Sequence, residues 1–328
     1  MNCADISVIP SAAYDRIMDE YVEPLLESSR TASGFFEGSG GASLYYEAYR
    51  APSAKRSVII LHGYTEGVVK YREFVKYLLD NGSDVYLYDQ RGHGRSTRDV
   101  PDKTLTHVER FTDYVDDLSA FVEKIVPKDM PVFLFAHSMG GAVASLYLER
   151  RPGTVAGAVL SSPMISPSTG SWPAWVGRLI CRAAILFGGA KKRIFLSHEY
   201  PGEEKFEDAC SSGKARFSRY ELFKRSNPDY QNYSPTYRWT LESMLVPGKM
   251  LKAGEPEKID VPMLVFTAGK DTVVSTDAIR AFAARVPSAE VVDFPESKHE
   301  LCYSTDADVA RLAGLTVGFF ESRTVTER

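Results

Sequence analysis

Short, mostly apolar runs recur along this chain at 57–61, 84–89, 131–136, 155–160, 261–267 and 290–294. Such runs suit strands covered on both faces of a parallel sheet, because a strand with one wet face alternates apolar and polar residues instead. Between them, the segments 71–79, 111–125 and 309–320 carry apolar positions at three- and four-residue spacing, which predicts amphipathic helices. The repeated order of strand, loop and helix predicts an α/β fold with a mostly parallel, doubly wound sheet and right-handed crossovers.

Two features precede this rhythm. Residues 11–29 place Tyr14, Ile17, Met18, Tyr21, Val22, Leu25 and Leu26 at helical spacing, predicting an amphipathic helix packed on the body. Next, β runs around Phe35-Phe36 and over 44–49, split by Gly38-Ser39-Gly40-Gly41, predict an antiparallel hairpin at a sheet edge. The rhythm breaks at Ser162-Pro163 and resumes only at Val261, a gap too long for a plain loop. The expected organisation is a core of 1–163 and 261–328, with 1–30 as a helical extension, and a helical cap inserted at 164–260.

Composition narrows the class. A chain of 328 residues with 44% apolar and 25% charged residues is long enough for a large core. Its net charge of −4 gives no reason to expect nucleic acid, which demands a basic excess. Cys3, Cys181, Cys210 and Cys302 are far apart and lack metal-type spacing, so free thiols in a reducing compartment are expected. Asp5 and Asp15 stand where a signal peptide would need a basic start and an apolar run. The most apolar window, 172–190, is broken by Pro173, Arg178 and Arg182 and is too short and charged to span a bilayer. A cytoplasmic protein, with peripheral membrane contact as an option, is the expectation; the oligomeric state stays open.

The candidate chemistry starts at Ser138. Residues 131–144 read as a buried strand, a sharp turn and a helix, with Ser138 at the apex and Ala136 and Gly140 two positions to either side. Small residues belong there because the turn is strained and the helix passes close to neighbouring backbone. Ala136 departs from the first glycine of the G-x-S-x-G pattern. A hydroxyl so placed lies at the carboxyl end of a central strand, where open α/β sheets put their chemistry.

A serine nucleophile needs a base, and the base needs an acid to hold its tautomer. Of the six histidines, His299 lies in the loop after the last strand, and Asp271 in the loop after the strand before it, giving the chain order Ser, Asp, His. His62, at a strand end, and His93, among glycines and arginines, suit hydrogen bonding within loops; His137 adjoins the serine and should be turned elsewhere. Asp293 lies within the last strand and is the weaker acid. The oxyanion needs backbone donors, for which the amides of Met139, opening the helix, and Tyr64, in the His62-Gly63-Tyr64 turn, are the candidates.

Four motifs now carry a resemblance: His62-Gly63-Tyr64-Thr65-Glu66; Asp89-Gln90-Arg91-Gly92-His93-Gly94-Arg95-Ser96; Ala136-His137-Ser138-Met139-Gly140-Gly141; and Gly269-Lys270-Asp271 paired with Lys298-His299-Glu300. The sequence resembles α/β-hydrolases of the monoacylglycerol lipase and lysophospholipase group. In the cap, Asn227-Pro228-Asp229 and Pro235-Thr236-Tyr237-Arg238-Trp239 are similar to bacterial lysophospholipases of the L2 type. The resemblance implies Ser138 as nucleophile, Asp271 and His299 completing a triad, Tyr64 and Met139 as oxyanion amides, and hydrolysis of single-chain lipid esters without metal or organic cofactor. Its rivals are a proline-type aminopeptidase, which needs a carboxylate in the cap, and a catalytically silent binding protein on the same fold.

The cap carries the substrate question. Trp175, Val176, Leu179, Ile180, Ala183, Leu186 and Phe187 recur at helical spacing. Such a stripe lines an acyl tunnel, packs within its own domain, or meets a membrane surface beside Arg178 and Arg182. Trp175, Leu179 and Phe187 are the candidate substrate contacts. Residues 171–225 hold eleven Lys and Arg against six Asp and Glu, a basic segment suited to a phosphate headgroup or an anionic membrane.

Overall fold

In the computed structural model, which describes residues 2–170 and 172–324, the apolar runs lie side by side in one eight-stranded sheet. Its strands are β1 (Arg30–Glu37), β2 (Ser43–Tyr49), β3 (Arg56–Leu61), β4 (Ser83–Tyr88), β5 (Val132–His137), β6 (Gly157–Ser161), β7 (Met263–Ala268) and β8 (Ala289–Phe294). Their spatial order is β1-β2-β4-β3-β5-β6-β7-β8. The edge hairpin β1–β2 is antiparallel, β2 meets β4 antiparallel, and all later pairings are parallel.

Double-sided burial explains the runs. Val58 and Ile60 of β3, with Phe133 and Phe135 of β5, enter one core; Ile59, Leu61, Leu134 and Ala136 enter a second core on the opposite face. The first core is closed by α1 (Arg72–Asp80) and, at the far end of the chain, by Asp306–Arg323; the second is closed by α2 (Thr112–Lys124), α3 (Met139–Arg150) and Thr276–Ala283.

Between β6 and β7 the chain leaves the sheet and forms α4 (Ala174–Leu186), α5 (Lys214–Ser226) and α6 (Tyr237–Met250); the two remaining long helices are α7 (Thr276–Ala283) and α8 (Asp306–Arg323). α6 is tied to the body: Trp239 Nε1–H donates to the Tyr114 hydroxyl at 3.2 Å, and Glu242 accepts the Phe111 amide at 3.0 Å. α5 is tied through Arg216, whose guanidinium lies within 2.8 Å of both oxygens of Glu73 on α1 and 2.7 Å from Asp306 on α8.

The N-terminal helix differs from expectation in one respect. Its buried residues Tyr14, Met18, Val22 and Leu26 fall every fourth position, and a π-helical stretch, Met18–Val22, interrupts the α-helical turns. Strict four-residue spacing outruns the 3.6 residues of an α turn. The wider i→i+5 bonding of the π turn takes up the excess and keeps the stripe on one face.

Candidate active site

Ser138 stands between β5 and α3 with φ 51° and ψ −117°. This region disfavours a side chain, at a cost of about 1–3 kcal/mol for a non-glycine residue. Its backbone is fixed on both sides: the Ser138 amide donates to Ser161 O at 3.0 Å, and Ser138 O accepts the Met164 amide at 2.8 Å. Gly140 permits the turn, since a Cβ there would stand 2.4 Å from the carbonyl oxygen of Leu61 and 2.7 Å from that of His62. The small residue inferred from sequence two positions after the serine is thus required by close approach to the end of β3.

Two more loops at the same sheet edge bring the other residues. Gly269 lets the loop after β7 lie against the loop after β8, because a Cβ there would meet the Pro295 carbonyl oxygen at 2.2 Å. His299 Nε2 lies 2.8 Å from Ser138 Oγ, and His299 Nδ1 lies 2.6 Å from Asp271 Oδ2. Asp271 Oδ1 accepts the amides of Val273 and Val274 at 2.8 and 3.0 Å. Burial raises the pKa of Asp271, but hydrogen bonds from His299 and the two amides outweigh it and hold the carboxyl below its ordinary 3.8. An ionised Asp271 accepts Nδ1–H, which leaves Nε2 free to accept the proton of Ser138. Ser138, Asp271 and His299, some 160 residues apart at the extremes, therefore converge as the sequence predicts.

Of the two candidate oxyanion amides, Met139 N–H opens α3, where no intrahelical acceptor exists. Tyr64 N–H lies in the loop after β3. Among the described residues neither amide has a hydrogen-bond acceptor.

The other histidines serve the loops. His62 Nε2 accepts the Gln90 amide at 2.8 Å, and the Gln90 side chain donates to His62 O at 2.5 Å. His93 bonds Arg91 O through Nδ1 at 3.0 Å. His137 bonds Ser161 O through Nδ1 at 3.0 Å, with its ring 4.8 Å from that of His299. Burial pushes His62 and His137 down to about 4, so both are neutral at physiological pH. Asp293 pairs with Arg280 and is remote from the triad's hydrogen bonds. Asp89 accepts the amides of Val68 and Arg95 and the hydroxyl of Tyr230, which makes its loop a brace for the turn holding His62.

An apolar cavity of about 220 Å³ lies under α4, lined among others by Trp172, Ile180, Cys181, Leu196, Trp239 and Met244. Trp239, one wall of the cavity, packs on the loop after β3, its ring 4.3 Å from that of Tyr64. The structure does not bring Trp175, Leu179 or Phe187 to this cavity. They point outward and are 62%, 60% and 85% exposed. The face turned inward carries Gly177, Ile180 and Cys181 instead. Arg178 and Arg182 stand on the same side of the helix as Trp175, Leu179 and Leu186 and mark the outward face, a signal that the apolar spacing by itself leaves out.

The basic segment is also redistributed by folding. Arg216 and Arg219 end on acids of the body and N-terminal helix, Arg193 on Asp102 and Glu199, and Lys224 and Arg225 on Glu204 and Glu203. Among the described residues, Arg178, Arg182 and Lys192 have no carboxylate at ion-pair distance. Glu66 and Glu300, each part of a motif that carries the resemblance, are joined by Lys70 into a largely buried ionic cluster beside His299 that the motifs do not announce. The Glu-to-Lys spacing of four is the local trace of the Glu66–Lys70 pair; the reach to Glu300 leaves none.

A strained serine turn feeding a helix, at the edge of a mostly parallel sheet and in hydrogen-bond register with His and Asp, defines a serine hydrolase of α/β-hydrolase architecture. The family described as serine aminopeptidase, S33, matches residues 52–306. Lysophospholipase L2 of Escherichia coli K12 is 32% identical over 242 residues, covering 73% of this chain and 70% of the relative. A probable lysophospholipase L2 of Haemophilus influenzae is 28% identical, covering 83% of this chain and 86% of the relative. Among solved structures, a soluble variant of monoglyceride lipase from Saccharomyces cerevisiae superposes with a TM-score of 0.69 at 21% identity, over 89% of this chain and 97% of that one, a likeness of fold. The chain belongs to this serine hydrolase family, within its lysophospholipase and monoacylglycerol lipase group.

Proposed function

We propose that the protein hydrolyses the carboxylic ester of single-chain lipids in two steps, through an acyl-enzyme on Ser138. His299 takes the Ser138 proton as Oγ attacks the ester carbonyl, and Asp271 steadies the imidazolium that forms. The oxyanion leans on the amides of Tyr64 and Met139. His299 then returns the proton to the departing alcohol, and water repeats the sequence on the acyl group. The observation that carries this reading is the 2.8 Å and 2.6 Å relay from Ser138 through His299 to Asp271. The apolar cavity, whose Trp239 wall packs on Tyr64, supports a lipid chain as the acyl part.

In this reading residues 164–260 act as a cap over the core formed by 1–163 and 261–328. The outward face of α4, with Trp175, Leu179, Leu186 and Phe187 exposed beside Arg178 and Arg182, meets an anionic lipid surface. Among the described residues no helix is long and apolar enough to cross a membrane. The rival aminopeptidase reading needs a carboxylate to hold the substrate amine, and the cavity lining includes none.

The deciding experiment is a hydrolysis panel of monoacylglycerols, lysophospholipids, diacyl lipids and amino-acyl amides. Turnover of the monoacyl esters, lost in Ser138→Ala, is expected. Turnover confined to the amides, or failure of a fluorophosphonate to label Ser138, would overturn the proposal.

A further inference from the structure

The buried ionic cluster beside the triad is the strongest feature the mechanism leaves unused. Glu66 is 4% exposed, and each of its oxygens is engaged. Oε2 accepts the Gly63 amide at 2.6 Å and the Tyr71 hydroxyl at 2.7 Å; Oε1 lies 2.8 Å from Lys70 Nζ. The same Nζ lies 2.8 Å from Glu300 Oε1, on the residue that follows His299. Lys70 is 7% exposed and sits over the Tyr303 ring, 4.7 Å from its centroid. One ammonium thus spans two loops that the sequence separates by more than two hundred residues.

The local backbone shows what is being held. Gly63 donates to Glu66, and the next amide along is that of Tyr64. A Cβ on Gly63 would lie 3.0 Å from both Glu66 Oε2 and His137 Cδ2, so the turn rests directly on the carboxylate. Thr65, just beyond, has φ 61°, a conformation a β-branched residue adopts only when its surroundings impose it. Burial disfavours charge on Glu66, but Lys70 and the hydrogen bonds outweigh it and keep the carboxyl ionised, well below the usual carboxylate range. Lys70 in turn is held protonated, its burial outweighed by Glu300 and Glu66. An ionised strut between two loops is stiffer than a neutral one, because charge-assisted bonds are shorter and stronger.

We infer that Glu66 is a positioning residue that aims the Tyr64 amide at the oxyanion, and that Lys70, by bridging Glu66 to Glu300, keeps this amide in register with His299. The inference rests on the proposed ester hydrolysis with Tyr64 as an oxyanion donor. The contacts are complete before any substrate arrives, so their effect falls on the transition state, where charge develops, and spares ground-state binding.

The test compares wild type with Glu66→Gln, Glu66→Asp and Lys70→Met on a monoacyl ester the wild type turns over, with rates counted per fluorophosphonate-labelled site so that misfolded protein does not enter. Glu66→Asp keeps the charge but loses the reach, which guards against a Glu66→Gln that fails to fold. The expected result is kcat lower by about 10- to 100-fold in the Glu66 variants, less than removal of an oxyanion donor outright. Lys70→Met should fall in the same direction by a smaller factor, with KM within about twofold throughout. A trifluoromethyl ketone, whose tetrahedral adduct puts an oxyanion in the same place, should weaken in parallel with kcat/KM. If kcat per labelled site and ketone affinity stay at wild-type values in folded Glu66 variants, the cluster is structural only and the inference fails. A wild type inactive on every ester would instead sink the functional reading beneath it.

Discussion

Asp271 reaches His299 with both carboxylate oxygens engaged, Oδ1 by two amides and Oδ2 by the imidazole, so its orientation cannot drift. Asp271→Asn keeps the size but presents an amide that can donate to His299 and stabilise the wrong tautomer. The expected result is kcat lower by about 10⁴-fold with little change in melting temperature, read from active-site-titrated kinetics. The depressed pKa of Asp271 also sets a sign: the stability it contributes is present above the unfolded carboxylate's pKa and is lost only as pH falls through its lower folded value. Glu149 on α3 behaves oppositely. It is 6% exposed, its Oε1 has no partner among the described residues, and burial, then nearby Glu255, pushes its pKa from 4.5 to about 8. The folded state holds that proton while the unfolded chain releases it, so stability falls as pH rises from 4.5 to about 8. Glu149→Gln should remove this slope: the two proteins should melt alike below pH 4.5, with the variant higher by a few degrees at pH 8. Parallel melting curves across this range would refute the assignment.

At the level of elements, α4 is the piece whose two faces do different things. Its inner side lines the cavity and packs on α6 through Cys181, Leu241 and Met244, while Leu186 and Phe187 stand 80% and 85% exposed at its end. Leaving such side chains in water forgoes about 1.5–3 kcal/mol each of burial free energy, which a lipid surface can recover. The double substitution Leu186→Gln, Phe187→Ser is expected to lower turnover of vesicle-presented substrate about 3- to 10-fold more than turnover of a dispersed short-chain ester. Flotation with anionic vesicles would measure the binding directly, and equal losses on both substrates would argue against docking. The serine turn shows the contrasting case of an element with a single solution. β5 and α3 can meet at Ser138 only because Gly140 admits the carbonyls of Leu61 and His62. That requirement was visible in the sequence as a small residue two positions past the serine.

For the whole molecule, Arg216 is the junction. Fully buried, it joins α5 to Glu73 of α1, to Asp306 of α8 and to the Ile9 carbonyl of the N-terminal segment. Removing one partner of a buried ion pair leaves the other charged and unpaired, at about 3–5 kcal/mol. Arg216→Met is therefore expected to lower stability by that order in chemical denaturation and to expose the N-terminal helix and α5 to limited proteolysis together. Separate cleavage of only one of them would show that the junction does not couple them.

The sequence alone determined the strand order along the chain, the edge hairpin, the interruption after β6 and the three residues that meet at Ser138. These are legible because doubly buried strands, a crowded serine turn and loops at strand ends each demand residue types that leave a local pattern. Tertiary structure alone decided which face of α4 turns inward, which basic residues of 171–225 are neutralised, and that Glu66, Lys70 and Glu300 form one cluster. The bridges from Arg216 to Glu73 and from Lys70 to Glu300 depend on partners far away in the chain. A charge whose counter-ion is two hundred residues distant carries no local mark of where folding will put it, and on α4 only Arg178 and Arg182 hint at the outward side.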